Sequence, residues 1–184
     1  MANVNNPTGF EFHSSPGPFP PRTRTLIKLV GVGTAIFIND VVHRLAGTSL
    51  TEGHDAVEPF GTGTPGTTIP GGVALNYGAA STRTRHSVIV DDNAEYHAQD
   101  DGDSTGLAAT NIGQNANVVA TAGNATTFQS KHQIDGSTAN TTNSLDLYLI
   151  ALLPRSGNDF GSDFVRTICR FNKLSEQQTG ITRV

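Results

Sequence analysis

Gly102-Asp-Ser-Thr-Gly106 sets a serine between two glycines, the spacing of a nucleophile elbow, in which a strained strand-to-helix turn exposes the hydroxyl beside an oxyanion hole. The context argues against that chemistry. Asp100 and Asp101 precede the motif where a buried apolar strand is needed, and Leu-Ala-Ala-Thr-Asn-Ile-Gly is a poor helix to follow it. A base would come from His43, His54, His86 or His97 with an upstream Asp, and nothing in the spacing selects one. Gly61-x-Gly-x-x-Gly66 has the letters of a dinucleotide fingerprint, but Pro65 and the lack of a following helix remove the dipole that would hold a pyrophosphate.

Two acidic runs, Asp91-Asp92-Asn93 and Asp100-Asp101-Gly102-Asp103, cluster oxygen ligands of the kind calcium takes. Neither has the alternating ligands and later Glu of a calcium loop, so solvated acidic turns are the expectation, with no metal site and no cofactor. His86, His97 and His132 are too dispersed for a local metal signature. The single cysteine, Cys169, excludes an internal disulfide and reads as a small buried hydrophobe. Asn124-Ala-Thr126 and Asn140-Thr-Thr142 match the glycosylation triplet, which without a secretory signal carries no weight.

Arg22, Arg24, Lys28, Arg83 and Arg85 are small basic groups in a chain of net charge −4, suited to acidic patches on a protein partner. A nucleic-acid partner is not expected, because many phosphates need a basic surplus. No run of about 18 apolar residues exists. No membrane partner is expected either, and synthesis in a cytoplasm is.

The elements that position these residues are short strands. Charged residues are only 15% of 184, and Thr, Asn, Ser and 20 Gly take their place, which disfavours helix interiors. Leu, Ile, Val and Phe make up about 24%, above the rough 20% where disorder becomes the default. Strand patterns run over residues 25–32, 34–38, 41–45, 73–77, 86–90, 96–99, 116–121, 145–153 and 164–171. Leu145, Leu147, Leu149, Ala151 and Leu153 share one face of a nearly central strand. Val165, Thr167, Cys169 and Phe171 make the apolar face of a half-buried one, with Arg166 and Arg170 opposite.

The expectation is an all-β barrel or sandwich, jelly-roll-like, spanning 25–175 with a long loop at 47–72 and a tail at 176–184. Residues 1–24 read as an extended arm, since five of nine prolines fall there around Phe10, Phe12 and Phe19. Spaced aromatics favour an arm that orders on a partner over a solvated tail, and its removal is expected to leave the β domain folded. The charge-free stretches 61–72 and 104–130 are the expected contact surfaces, with Asp91, Asp92 and Asp100–Asp103 wet or paired with an arginine.

The second half carries a more specific pattern. Val90-Asp-Asp-Asn93, Tyr96-His-Ala-Gln99, Gly113-Gln-Asn-Ala-Asn-Val-Val119 and Ala122-Gly-Asn-Ala-Thr-Thr127 are followed by Ile134-Asp-Gly-Ser137 and the strand from Leu145. Then come the turn Pro154-Arg-Ser-Gly-Asn-Asp-Phe-Gly161 and the closing strand. In that order they resemble a family of tailed-phage virion proteins, the capsid decoration or cement proteins. The resemblance spans about residues 86–173, with a looser match at Gly33–Val42.

It implies a structural protein on the capsid surface that binds the major capsid protein across subunits and pairs with itself as trimer or dimer. No active site is carried over. Phe10, Phe12, Phe19, Arg22 and Arg24 become candidate capsid-binding residues, and Arg83, Arg85 and Arg155 candidate intersubunit contacts. A tail or fibre module that recognises a host surface, and a small hydrolase using Ser104, are the alternatives.

Overall fold

The computed structural model describes residues 3–17, 20–49, 54–61, 69–103, 106–172 and 174, without the side chains of 46–49. They form eleven strands, β1 Glu11–Ser14, β2 Thr23–Lys28, β3 Val41–Ser49, β4 Asp55–Pro59, β5 Gly72–Ala74, β6 Thr84–Ile89, β7 Glu95–Gln99, β8 Asn115–Val119, β9 Gln133–Asn140, β10 Leu147–Leu152 and β11 Arg166–Phe171. The chain is all-β: among the described residues the only helical turn is 3-10, at Ala109–Asn111. No described helix is long and apolar enough to cross a membrane.

Five strands close a barrel in the order β2-β4-β3-β5-β6, antiparallel except for the parallel β2–β4 pair. Consecutive apolar residues explain why these strands are buried on both faces. Val42, Ala74 and Val88 point into the barrel with Leu26, Ile36, Val57 and Val90. Their neighbours Val41, Val73 and Ile89 point out of it into a second core. Val41 lies opposite Val73, and Val73 opposite Ile89, so three adjacent strands present one outward apolar row. Period-two alternation makes each such pair serve two cores.

The other six strands form an antiparallel sheet, β1-β7-β11-β10-β8-β9, that covers this row. Leu147, Leu149, Cys169, Phe171, Tyr96, Ala98, Ala116 and Ile134 line its buried face. β10 lies between β11 and β8 as its apolar pattern requires, although a register shift between Leu149 and Ala151 interrupts the alternation. The sheet curls until its far strand returns to β7, where Asp100 bridges Ile134 in parallel and the Asp101 N–H donates to the Ile134 carbonyl.

Four segments depart from expectation. The stretch 47–72 is not all loop: β3 runs to Ser49, and β4 lies inside the stretch with Ala56 and Val57 fully buried. Residues 34–38 are not a strand but two single bridges, because the chain turns at Asn39 (φ 69°), where Asp40 caps the Phe37 N–H at 2.7 Å. β9 escaped notice because Gly136 and Ser137 interrupt an otherwise unremarkable polar run, and its place is set by pairing with β8.

The largest departure is the N-terminal segment, expected as an appended arm. Phe10 is fully buried in the second core, its ring 6.0 Å from Phe171, and β1 adds to the edge of the sheet with Glu11 opposite His97. The Asn6 N–H donates to Gln99, while Arg166 donates to the Asn6 carbonyl (2.5 Å) and the Thr8 hydroxyl (3.3 Å). Gly9 (φ 77°) lies so close to Ser130 and the Asn39 carbonyl that no side chain fits there. Burying one Phe contributes roughly 3 kcal/mol towards holding the segment, alongside the β1 pairing and the Arg166 and Gln99 hydrogen bonds.

Candidate functional site

The residues expected to bind a partner are scattered. Phe10 is internal and unavailable to one. Phe12 remains 39% exposed on β1, edge-on to Tyr96 at 6.4 Å. Phe19, Ser104 and the tail 176–184 lie outside the described residues. Arg22 and Arg24 find acids within this chain: Arg22 reaches Asp92 at 3.5 Å and the Val90 carbonyl at 2.9 Å, and Arg24 lies 4.0 Å from Asp55. Arg83 and Arg85 are exposed, before and on β6. Arg155 is exposed and lines a cleft of about 330 Å³ with Arg166, Asn3, Asn158 and Phe164.

His43, His86, His97 and His132 each find a partner within this chain. His86 is fully buried and pairs with the Asn76 carbonyl at 3.0 Å, while burial, against that hydrogen bond, holds its pKa below the usual range. His43 pairs with Glu58 at 2.7 Å and His97 with Glu11 at 3.2 Å. His132 is buried with Asp40: its Nδ1 accepts from the Val41 N–H (3.1 Å), and its Nε2 lies 3.5 Å from Asp40 Oδ1. Burial pushes Asp40 up to about 7, against hydrogen bonds from the Phe37 N–H and Ser130, and pushes His132 down to about 3. This pair is thus a neutral imidazole beside a carboxyl group reluctant to ionise.

Above that pair lies the surface that the residue-by-residue reading missed. Phe37, Tyr77 and Phe128 come from three separate segments and stack in series, 5.5 Å and then 4.5 Å between ring centres. Phe128 is 43% exposed at the outer end, on a residue of positive φ (58°). Its loop is built rather than loose. Asn124 Oδ1 accepts from the Thr126 and Thr127 N–H groups, and the Phe128 N–H donates to the Asn124 carbonyl at 2.7 Å. Ile38 exchanges backbone bonds with Phe128 and Ser130. Gly123 packs so tightly under the Phe37 ring that a Cβ would collide with it. Residues 120–129 carry no charge, and all but Gly123, Asn124 and Gln129 are exposed. The only signal in the sequence was that absence of charge across 104–130.

The two acidic runs differ. Asp91 accepts from the Ser15 hydroxyl (3.2 Å), the Arg22 N–H (3.4 Å) and the Asn93 N–H (3.0 Å). Burial alone would raise its pKa, but these bonds and the Arg22 charge outweigh it and hold the carboxyl below its ordinary range. Asp100, expected to be wet or paired with an arginine, is instead fully buried. Burial, then the charges of Asp101 and Asp103, push it up to about 7.

Compared with protein-family models, with curated proteins and with solved structures, the chain finds no match in any of the three.

Proposed function

We propose that this chain is a structural virion protein of a tailed bacteriophage, which decorates the capsid and cements neighbouring copies of the major capsid protein. The observation that carries the reading is the charge-free loop 120–129, whose own hydrogen bonds hold Phe128 outward on the Tyr77 ring. An exposed aromatic held rigidly loses little side-chain entropy on docking, and a charge-free surround avoids the desolvation that charges impose at an interface centre. The resemblance of residues 86–173, in the order of their turns and strands, to decoration proteins supports the same reading.

A second contact suits the sheet edge, where β1, the end strand, has one side unpaired among the described residues, beside exposed Phe12. Edge strands of this kind accept a strand from a partner, either a capsid subunit or a sister copy in a dimer or trimer. Several weak contacts repeated around a shell add up through effective concentration.

Heads assembled without this protein should form yet lose resistance to heat or osmotic shock, and adding it back should restore them. Phe128→Ser should fail to restore. Unchanged head stability at full occupancy would sink the cementing role. Recovery of the protein only with tails, together with binding to host cells, would replace it with a host-surface module.

A further inference from the structure

Asp101, Asp103 and Asp135 each turn a carboxylate oxygen into one small volume, all within 4.8 Å of one another. Ligands on opposite sides of a calcium ion stand about 4.6–5.2 Å apart, since each lies at about 2.3–2.6 Å. The three oxygens therefore fit within a single ion's shell. Acid clusters are common without an ion, so the decisive observation is a different residue. Asp100 is fully buried beside them, its Oδ2 accepts from the Gly102 N–H at 3.3 Å and its carboxylate also faces the Gly136 N–H, yet its Oδ1 has no partner in hydrogen-bond geometry. One oxygen of Asp101 is likewise buried without a partner.

A buried ionised carboxylate is expensive unless a cation offsets it. The groups acting on Asp100 and Asp101 are the charges of Asp101, Asp103 and Asp135 together with backbone N–H groups, and among the described residues no Lys or Arg forms an ion pair with any of the four. The fold nevertheless forces the four together. Gln133 donates to the Asp100 carbonyl and the Asp101 N–H to the Ile134 carbonyl, which locks the 100–103 turn against the stretch of β9 that carries Asp135.

We propose that Asp101, Asp103 and Asp135, with Asp100 behind them, bind one calcium ion at the seam where the curled sheet returns to β7. Oxygen-only ligands exclude a soft metal, and several carboxylates on an irregular turn suit calcium better than magnesium, which keeps its waters and demands an octahedron. The ion staples the turn after β7 to β9, joining the two ends of the curl, and turns a repulsive cluster into a stabilising one.

The test uses the full chain stripped with EDTA and followed by thermal unfolding and calorimetric titration. Millimolar CaCl2 should raise Tm by several degrees and titrate to about one ion per chain. NaCl at equal ionic strength should do neither, and MgCl2 should do much less. The Asp101→Asn/Asp135→Asn protein should lose the calcium response while unfolding in EDTA no lower than wild type, because repulsion has been relieved. If that protein does not fold, Asp103→Asn at the exposed position should weaken binding at least tenfold. Absence of a saturable calcium titration, a calcium response that survives Asp101→Asn/Asp135→Asn or, where that protein does not fold, Asp103→Asn, or an equal response to magnesium would each overturn the assignment.

Discussion

Two acidic turns flank β7, Asp91-Asp92 before it and Asp100–Asp103 after it, and they have opposite electrostatics. The first is satisfied: Ser15, Arg22 and Asn93 converge on Asp91, and its carboxyl is held below the ordinary range. The second has a fully buried member and no cation from this chain among the described residues, and its pKa is pushed up to about 7. The difference comes from the N-terminal segment. That segment runs along the β1 edge of the sheet and turns past Asp91, so its donors reach the acid at one end of β7, while at the other end its Asn6 N–H goes to Gln99. Which acids are neutralised is thus decided by residues about 70 positions away in the chain.

The largest break in this comparison should come from Phe10→Ala, which empties a site in the second core and loosens the segment that carries Ser15 and Arg22. Denaturant unfolding should show a loss of about 3–5 kcal/mol. A loss below about 1 kcal/mol would mean that the segment is an appended arm after all.

The comparison is sharpened by Asp91→Asn and Asp100→Asn, measured against wild type from pH 3 to pH 8 in EDTA. Asp91 has a depressed folded pKa, so it contributes stability above its unfolded value that is lost as pH falls through the folded one. Asp91→Asn should therefore cost more at pH 7 than at pH 3. Asp100 has a raised folded pKa, so its favourable contribution is complete below the unfolded value near 4 and is lost as pH rises through about 7. Asp100→Asn should gain on wild type over that window. Parallel slopes for the two substitutions would mean that the turns are electrostatically alike.

Arg22→Ala tests the supply of charge to the first turn alone. Its side chain is half exposed, and the expected loss is below about 1 kcal/mol and shrinks with added salt. Phe128→Ser is the smallest in stability, within about 0.5 kcal/mol of wild type, yet it should weaken capsid binding about tenfold, or 1.4 kcal/mol. A large loss of stability would show that Phe128 belongs to the core and not to an interface.

Much of the architecture was legible because period-two patterns report burial directly. Leu147 and Leu149, and Thr167, Cys169 and Phe171, lie where their alternation puts them. β4 and β9 were less visible, since short strands rich in Gly, Ser, Asp and Pro are held by their neighbours rather than by propensity. Of the candidate site, the charge-free stretch 104–130 was readable, but not Phe128 as its outward aromatic. That needs Tyr77 and Phe37 beneath it, and they come from distant parts of the chain.

The sequence by itself determined that this chain is all-β and poor in charge, and that two acidic runs bracket one strand. Composition and alternation are local properties, and β structure follows from them. Only the tertiary structure decided that Phe10 belongs to the core, that Asp91 has donors, and that Asp135 joins Asp101 and Asp103 around buried Asp100. Electrostatic and packing energies depend on distances between atoms, and long-range strand pairing sets those distances.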